Sequence, residues 1–273
     1  MVAGGLLLAD LFLHKTVSDL SDWFVKAYGF HRYNQDILYV LAVPCVLVAL
    51  ALLARLSRRL ARPSLGGPLL ALTAMTVLAH QYLIVANIEV IHFPQYAIPA
   101  AVFLGGGLSP LGSWLAATFC GVIDEVYQHL VIYAGVPDTY LDYNDMILNA
   151  IGAAWAIVLL QSWSAVAPSV RREPISLARR RPWLCAGSLG CLLVFAQWLD
   201  PPQLSPFLRR GLTGRWYHVL SLPEALLWAS LIAVTVVLPS LAPHAVRGAQ
   251  ANQSDPDAIA GQSETTACRS SPG

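Results

Sequence analysis

Between residues 89 and 152, the sequence places carboxylates, a histidine and side-chain amides inside segments apolar enough to lie in a membrane. The polar residues of this region are Glu89, His92, Tyr96, Asp124, Glu125, Gln128, Asp142, Asp145 and Asn149. An acid at the centre of a transmembrane helix costs about 2.5–3.5 kcal/mol even on lenient insertion scales. We therefore interpret the set as a functional site.

The residue types favour acid–base or metal-assisted chemistry on a lipid phosphodiester. His92 is predicted to be a general base or nucleophile, because imidazole exchanges protons near neutral pH, and Glu89 lies one turn earlier to orient it. Glu125 and Asp124 are predicted to supply an acid or to hold a cation. The alternative is that His92 ends a helix at the membrane interface and bonds only to Glu89.

Four further residues are predicted to contact the substrate. Tyr96 would orient it with its hydroxyl, whereas Gln128, Asp145 and Asn149 would hold a headgroup or a cation. The alternative for Gln128 and Asn149 is a structural role as amide links between helices. For Asp145 and Asn149 it is capping and packing at a helix start, where an acid complements the helix dipole.

A divalent cation is the predicted cofactor. Asp124, Glu125 and Asp145 are the predicted ligands, and Mg²⁺ or Ca²⁺ is the expected ion, since hard cations prefer oxygen donors. Asp142 is expected to be a solvated turn residue in the loop before Asp145.

Helical spacing places each set on one helix face. The sets at suitable spacing are Glu89, His92 and Tyr96, then Glu125 and Gln128, then Asp145, Asn149 and Gly152. Pro94 predicts a helix break within the first set. Gly152 predicts a close approach of another helix.

The overall composition is typical of a membrane protein. Hydrophobic residues make up 56% of the 273 and charged residues only 12%, against roughly 25% charged in soluble domains. We predict an all-α bundle with about seven transmembrane spans. The spans are residues 36–56, 69–91, 94–104, 111–132, 143–163, 183–199 and 222–241. No basic stripe with interleaved aromatics indicates nucleic acid, so membrane lipids are the expected partners.

These spans divide the chain into five parts. Residues 1–35 are predicted to lie at the membrane interface, 36–68 to hold the first span and a basic loop, and 69–163 to form a four-helix core. Residues 164–242 hold a second basic loop and two more spans. Residues 243–273 are expected to be a disordered tail.

Arginine clusters in the loops after residues 56 and 163 are separated by four spans and so face the same side. The positive-inside rule makes that side, together with the C-terminal tail, cytoplasmic in a plasma membrane. The polar cluster then lies near the outer leaflet.

Three motifs resemble those of the VanZ-like family of bacterial membrane proteins over about residues 84–160. They are the segments 92–97 (HFPQYA), 124–128 (DEVYQ) and 145–152 (DMILNAIG). The loop between the second and third motifs departs from the family because it has no arginine. The resemblance implies a link to teicoplanin resistance or to enzymes that exchange or remove lipid headgroups.

We therefore predict a lipid-headgroup transferase or hydrolase acting on a phospholipid or a polyprenyl-linked envelope precursor. The alternative is a protein without catalytic activity: a lipid- or glycopeptide-binding protein, or a proton-coupled transporter. A transporter needs polar groups along a path across the whole membrane, whereas the cytoplasmic halves of the core spans carry few.

Overall fold

The computed structural model describes residues 2–41, 63–136, 140–164, 209–210 and 216–253, together with the single positions 187 and 190. Helices account for most of these residues, as the hydropathy pattern predicts. The exception is a ladder of two-residue antiparallel strands that pairs Arg209 with Tyr217 and Arg210 with Trp216.

We number the elements in chain order. The helices are α1 (Val2–Tyr28), α2 (residues 30–41), α3 (Pro63–Tyr82), α4 (His92–Gly105), α5 (Pro110–Tyr127), α6 (Tyr143–Ser164) and α7 (Leu222–Gln253). A 3₁₀ segment, Asn87–Ile91, leads directly into α4, and a π-helical segment, Gln128–Ile132, extends α5. The strands are β1 (Arg209–Arg210) and β2 (Trp216–Tyr217).

Helix α6 occupies the centre of the bundle and packs against α3, α4, α5 and α7. Most of its apolar side chains from Met146 to Val158 are buried, and Leu148, Ile151 and Ile157 are fully buried, whereas Trp155 and Ala156 are partly buried. A helix that is apolar all round is stable only inside a bundle. The neighbours of α6 bury one face each and leave large apolar side chains such as Val77, Ile98 and Leu227 exposed.

Within the described residues, three stretches of helix are long and apolar enough to cross a membrane: Asn87–Gly105, Pro110–Ile132 and Tyr143–Gln161. They correspond to the predicted spans 94–104, 111–132 and 143–163. The prediction of an integral membrane protein is supported to this extent. The short span at 94–104 reaches full length because the preceding 3₁₀ segment continues it.

The prediction of one span over residues 69–91 is wrong. Helix α3 ends at Tyr82, and the chain turns over residues 83–86 before the 3₁₀ segment begins. Glu89 therefore belongs to the same stretch of helix as His92. The predicted break at Pro94 does not occur, because Pro94 lies in the first turn of α4, where a missing N–H removes no hydrogen bond.

Both termini of the described chain contain helix. The N-terminal part is a 27-residue helix, α1, which contacts both α4 and α5. Trp23, Phe24 and Tyr28 near its end are exposed, and the position of residues 1–35 at a membrane interface stays a prediction. Residues 243–253, predicted to be disordered, continue α7 as helix, since their alanine, arginine and glutamine residues are good helix formers.

Several predictions fall outside the described residues. They are the remainder of the span at 36–56, the two arginine clusters, most of the span at 183–199 and the tail beyond residue 253. The span predicted at 222–241 lies within α7, which is helical over Leu222–Gln253.

Candidate functional site

The polar side chains of the core meet at one end of the helix bundle. Helices α3 and α5 end there, and α4, α6 and α7 begin there. Buried Asn144 joins the segments, because its Nδ2 donates to the carbonyls of Leu83 (3.0 Å) and His218 (2.7 Å) and its Oδ1 accepts from the Leu220 N–H (2.9 Å). We refer to this region as the polar end.

His92, Glu125 and Asp145 form a compact group within the polar end. The three side chains come from α4, α5 and α6, and one donor atom from each lies within 4.8 Å of the others. His92 Nε2 lies 3.5 Å from Asp145 Oδ2. His92 and Glu125 are buried, and Asp145 is 16% exposed at its side chain. The sequence prediction of a shared cluster therefore holds for these three residues.

Asp124 shares one partner with Glu125 and otherwise contacts different side chains. Its Oδ2 accepts hydrogen bonds from the Tyr96 hydroxyl (3.1 Å) and from Gln128 Nε2 (3.2 Å), and the same Gln128 nitrogen reaches Glu125. The compact group contains His92 in place of Asp124, and so differs from the predicted ligand set of Asp124, Glu125 and Asp145. Consecutive residues on a helix point about 100° apart, so the two carboxylates reach different neighbours beyond Gln128.

Gln128 and Asn149 bracket the Glu125 carboxylate. Gln128 Nε2 lies 3.1 Å from Glu125 Oε1, and Asn149 Nδ2 lies 3.4 Å from the same oxygen. Gln128 begins the π-helical segment, a geometry that is rare and often found at functional sites. The two amides thus orient Glu125, the predicted catalytic acid. They also connect helices, which is the structural role that the sequence analysis gave as the alternative.

Glu89 is not placed as predicted. Its carboxylate accepts the backbone N–H groups of Val85 (2.8 Å) and Ala86 (3.0 Å) and so caps the turn before the 3₁₀ segment. The carboxylate that pairs with His92 belongs to Asp145 instead. Glu89 takes this position because the helix breaks after Tyr82, which leaves backbone N–H groups that its carboxylate accepts.

Asp142 is also not a simple solvated turn residue. It is partly buried, and its Oδ1 accepts the backbone N–H groups of Asn144 (2.8 Å) and Asp145 (3.3 Å), which caps α6. Burial, followed by the nearby Asp145 carboxylate, raises the pKa of Asp142 to about 7. The loop residue Asp138 lies outside the described residues.

Two glycines allow the helices to approach closely enough for the site to form. A Cβ on Gly152 would lie 2.4 Å from the Phe93 carbonyl oxygen, so α4 and α6 are in backbone contact there, as the sequence predicted. A Cβ on Gly121 would lie 2.9 Å from the Asn149 side chain. Substituting either glycine would push apart helices that supply site residues.

The structure adds a residue that the sequence analysis missed. His14, on α1, lies with its Nδ1 3.2 Å from Asp124 Oδ2, and its ring centroid is 6.3 Å from that of His92. Its side chain is 16% exposed, compared with 5% for His92. The available signal was its position directly after the apolar run of residues 4–13, where a polar residue would end a buried segment.

No protein-family model, curated protein or solved structure matches this chain.

Proposed function

We propose that this chain is an integral membrane enzyme that hydrolyses or transfers the headgroup of a phospholipid or a polyprenyl-linked lipid. The observation that carries the proposal is the buried group of His92, Glu125 and Asp145 at one end of three helices able to cross a membrane. Ionisable groups at such depth are rare unless they act on a substrate or an ion. The arginine distribution in the sequence supports a site near the outer leaflet.

The motifs that resemble the VanZ-like family support the same proposal. The motif at 92–97 lies on α4, that at 124–128 spans the end of α5, and that at 145–152 lies on α6. Each contributes one member of the group: His92, Glu125 and Asp145 respectively. Segments far apart in sequence thus supply one site, as a common function for the three motifs requires.

Proton transfer is assigned to His14 and Asp124. A carboxylate on one ring nitrogen leaves the other nitrogen to face a substrate, and this is the arrangement of His14 Nδ1 beside Asp124. His14 takes the proton of the attacking water or alcohol as the new O–P bond forms. The old P–O bond breaks, and the leaving oxygen receives the proton from His14. His14 is also the more exposed of the two imidazoles, so it is the easier for a nucleophile to reach.

The transporter alternative has less support from the described helices. Between Ala150 and Val158 on α6, and between Phe93 and Gly105 on α4, there is no carboxylate, histidine, lysine or arginine. A proton-coupled transporter would need such groups along its path. Titratable groups confined to one end favour a site that works from one side.

Turnover of native lipids is the direct test. Purified protein incubated with a bacterial lipid extract should change the headgroup composition measured by mass spectrometry, and Glu125→Gln should abolish the change. Glu224→Gln is the matched control, because Glu224 bonds to His218 and Ser221 at the start of α7. Equal turnover by wild type and Glu125→Gln would refute the proposal.

The role of His14 has its own test. His14→Ala should lower kcat by about 10²–10⁴-fold, the usual contribution of a general acid–base group, with a smaller effect on KM. Added imidazole should restore part of the rate in the His14→Ala variant. An unchanged kcat would assign the proton transfer to another group.

A further inference from the structure

Carboxylates outnumber cationic groups at the polar end. Asp145 and Glu125 belong to one group and Asp124 shares Gln128 with Glu125, while His14 Nδ1 and His92 Nε2 lie 3.2 and 3.5 Å from Asp124 and Asp145. Within the described residues, the lysine and arginine ion pairs are those of Lys15 with Asp19 and Arg32 with Asp36, on the exposed surface. A phosphodiester is itself an anion, and like charges in a site of low dielectric repel strongly. The site needs further positive charge to hold such a substrate.

The donor atoms of His92, Glu125 and Asp145 are spaced for a single metal ion. Ligands about 2.0–2.2 Å from a tetrahedral Zn²⁺ lie roughly 3.3–3.6 Å apart. His92 Nε2 and Asp145 Oδ2 are already 3.5 Å apart, and the third donor lies within 4.8 Å of both. Small side-chain rotations of Glu125 would complete this arrangement without moving a helix.

Unsatisfied buried atoms beside the group point independently to a ligand. Asn149 is fully buried and its amide lies against Glu125, yet its Oδ1 has no hydrogen-bond partner among the described residues. The same holds for Asp145 Oδ1, the second oxygen of a carboxylate in the group. Buried polar atoms are almost always paired, so these two oxygens leave lone pairs available to a ligand beside the group.

We propose that His92, Glu125 and Asp145 bind one divalent transition-metal ion, Zn²⁺ or Mn²⁺, with Asn149 Oδ1 available as a further oxygen donor. An imidazole among the ligands favours these ions over Ca²⁺ and Mg²⁺, which take mainly oxygen donors. Three protein ligands leave a coordination position open, as in catalytic rather than structural zinc sites. The predicted Mg²⁺ or Ca²⁺ is replaced because His92 has taken the place of Asp124.

The metal site gives the proposed enzyme its means of holding phosphate, and in that role it rests on the proposed function. The ion would bind a phosphate oxygen at its open position and offset the negative charge that develops during transfer. His14 and Asp124 remain outside the ligand set and carry the proton. The binding of the ion itself does not depend on the identity of the substrate.

Metal content is the first measurement. The full chain, purified in detergent, stripped with a chelator and reloaded with Zn²⁺, Mn²⁺, Mg²⁺ or Ca²⁺ in turn, should retain one Zn²⁺ or Mn²⁺ per chain by elemental mass spectrometry. His92→Gln, Glu125→Gln and Asp145→Asn should each weaken binding by at least the roughly 10- to 100-fold that loss of a supporting group costs. Asp124→Asn, one residue from Glu125, should keep the ion.

A spectroscopic measurement separates ligand loss from misfolding. Mn²⁺ bound to the wild-type protein should show ¹⁴N coupling from the His92 imidazole in pulsed electron paramagnetic resonance. At saturating Mn²⁺, Glu125→Gln should keep this coupling, whereas His92→Gln should lose it. Retention of the ¹⁴N coupling in His92→Gln would overturn the assignment, and so would Mn²⁺ or Zn²⁺ binding unchanged in all three ligand variants.

The metal inference and the proposed function can fail separately. Lipid turnover by protein that binds no Zn²⁺ or Mn²⁺ would overturn the metal site and leave the enzyme proposal standing. Stoichiometric metal that is lost in the ligand variants, without turnover of any lipid, would support the metal site and count against the enzyme.

Discussion

The two ends of helix α6 bury different kinds of side chain, polar at its start and apolar further along. Its first two turns carry Asn144, Asp145 and Asn149, which contact polar groups from four other segments. From Ala150 to Val158 the same helix buries only apolar atoms and one tryptophan, against α3, α4, α5 and α7. The apolar half would stabilise any membrane bundle, whereas the polar half gains little stability from its acids.

The contrast has an energetic basis. Interhelical hydrogen bonds in bilayers average only about 0.6 kcal/mol, which is less than the cost of placing an acid in the same environment. Replacing a whole buried ion pair by well-packed hydrophobic residues of similar volume is often neutral or stabilising, so such pairs are weak evidence of a stabilising role. The polar end is therefore the part of the bundle whose residues we expect to be kept for function.

The largest expected effect is a loss of stability from a substitution in the apolar half of α6, compared with a loss of turnover from one at the polar end. Ile157→Ala should lower the free energy of unfolding by about 2–5 kcal/mol, because Ile157 is fully buried and leaves a cavity, but turnover per folded molecule should be retained. Glu125→Gln should leave the unfolding free energy unchanged or raised while turnover is lost. Unfolding in denaturant, read beside lipid turnover, checks both. If both variants lost stability equally, the comparison would fail.

A smaller effect is expected where the two halves meet. Gly152→Ala should lower the free energy of unfolding by about 1–3 kcal/mol, since its new Cβ would overlap the Phe93 carbonyl and force α4 away from α6. It should also weaken metal binding, because His92 is the first residue of α4 and would move with that helix. Gly105→Ala is the control, as a Cβ there meets nothing within 4 Å. Equal stability of the two alanine variants would mean that α4 and α6 are not held in backbone contact.

The smallest effect concerns the pH dependence of the polar end. Because the folded state holds the proton of Asp142 up to about pH 7 and the unfolded state releases it near its ordinary pKa of about 3.9, folding is favoured at low pH. The thermal midpoint should fall as pH rises between about 4 and 7 and change little above. Asp142→Asn should reduce the difference between pH 5 and pH 8. A wild-type thermal midpoint that rises with pH over this range would contradict the prediction.

The apolar half of the bundle follows from sequence more directly than the polar half. Hydropathy predicts the helices at 111–132 and 143–163 because continuous apolar runs have few alternatives in a membrane. It misplaces the boundary at Tyr82, since residues 83–91 are as apolar as a span and only the capping by Glu89 marks the turn.

The sequence predicts which residues belong to the site but not which of them contact each other. The presence of acids and an imidazole within spans identifies His92, Glu125 and Asp145 as candidates. Which carboxylate faces the imidazole depends on helix rotation and register, which the spacing of residues along one helix does not determine. The position of His14 after an apolar run is visible in the sequence, but its contact with Asp124 is not, because that contact depends on how α1 packs against α5.

The contact of His14 with Asp124 has a consequence for how the protein is made. His14 lies on α1, whereas Asp124 lies near the end of α5. The pair cannot form until α5 has been synthesised and has packed against α1. This contact at the polar end is therefore completed only after most of the bundle has been made.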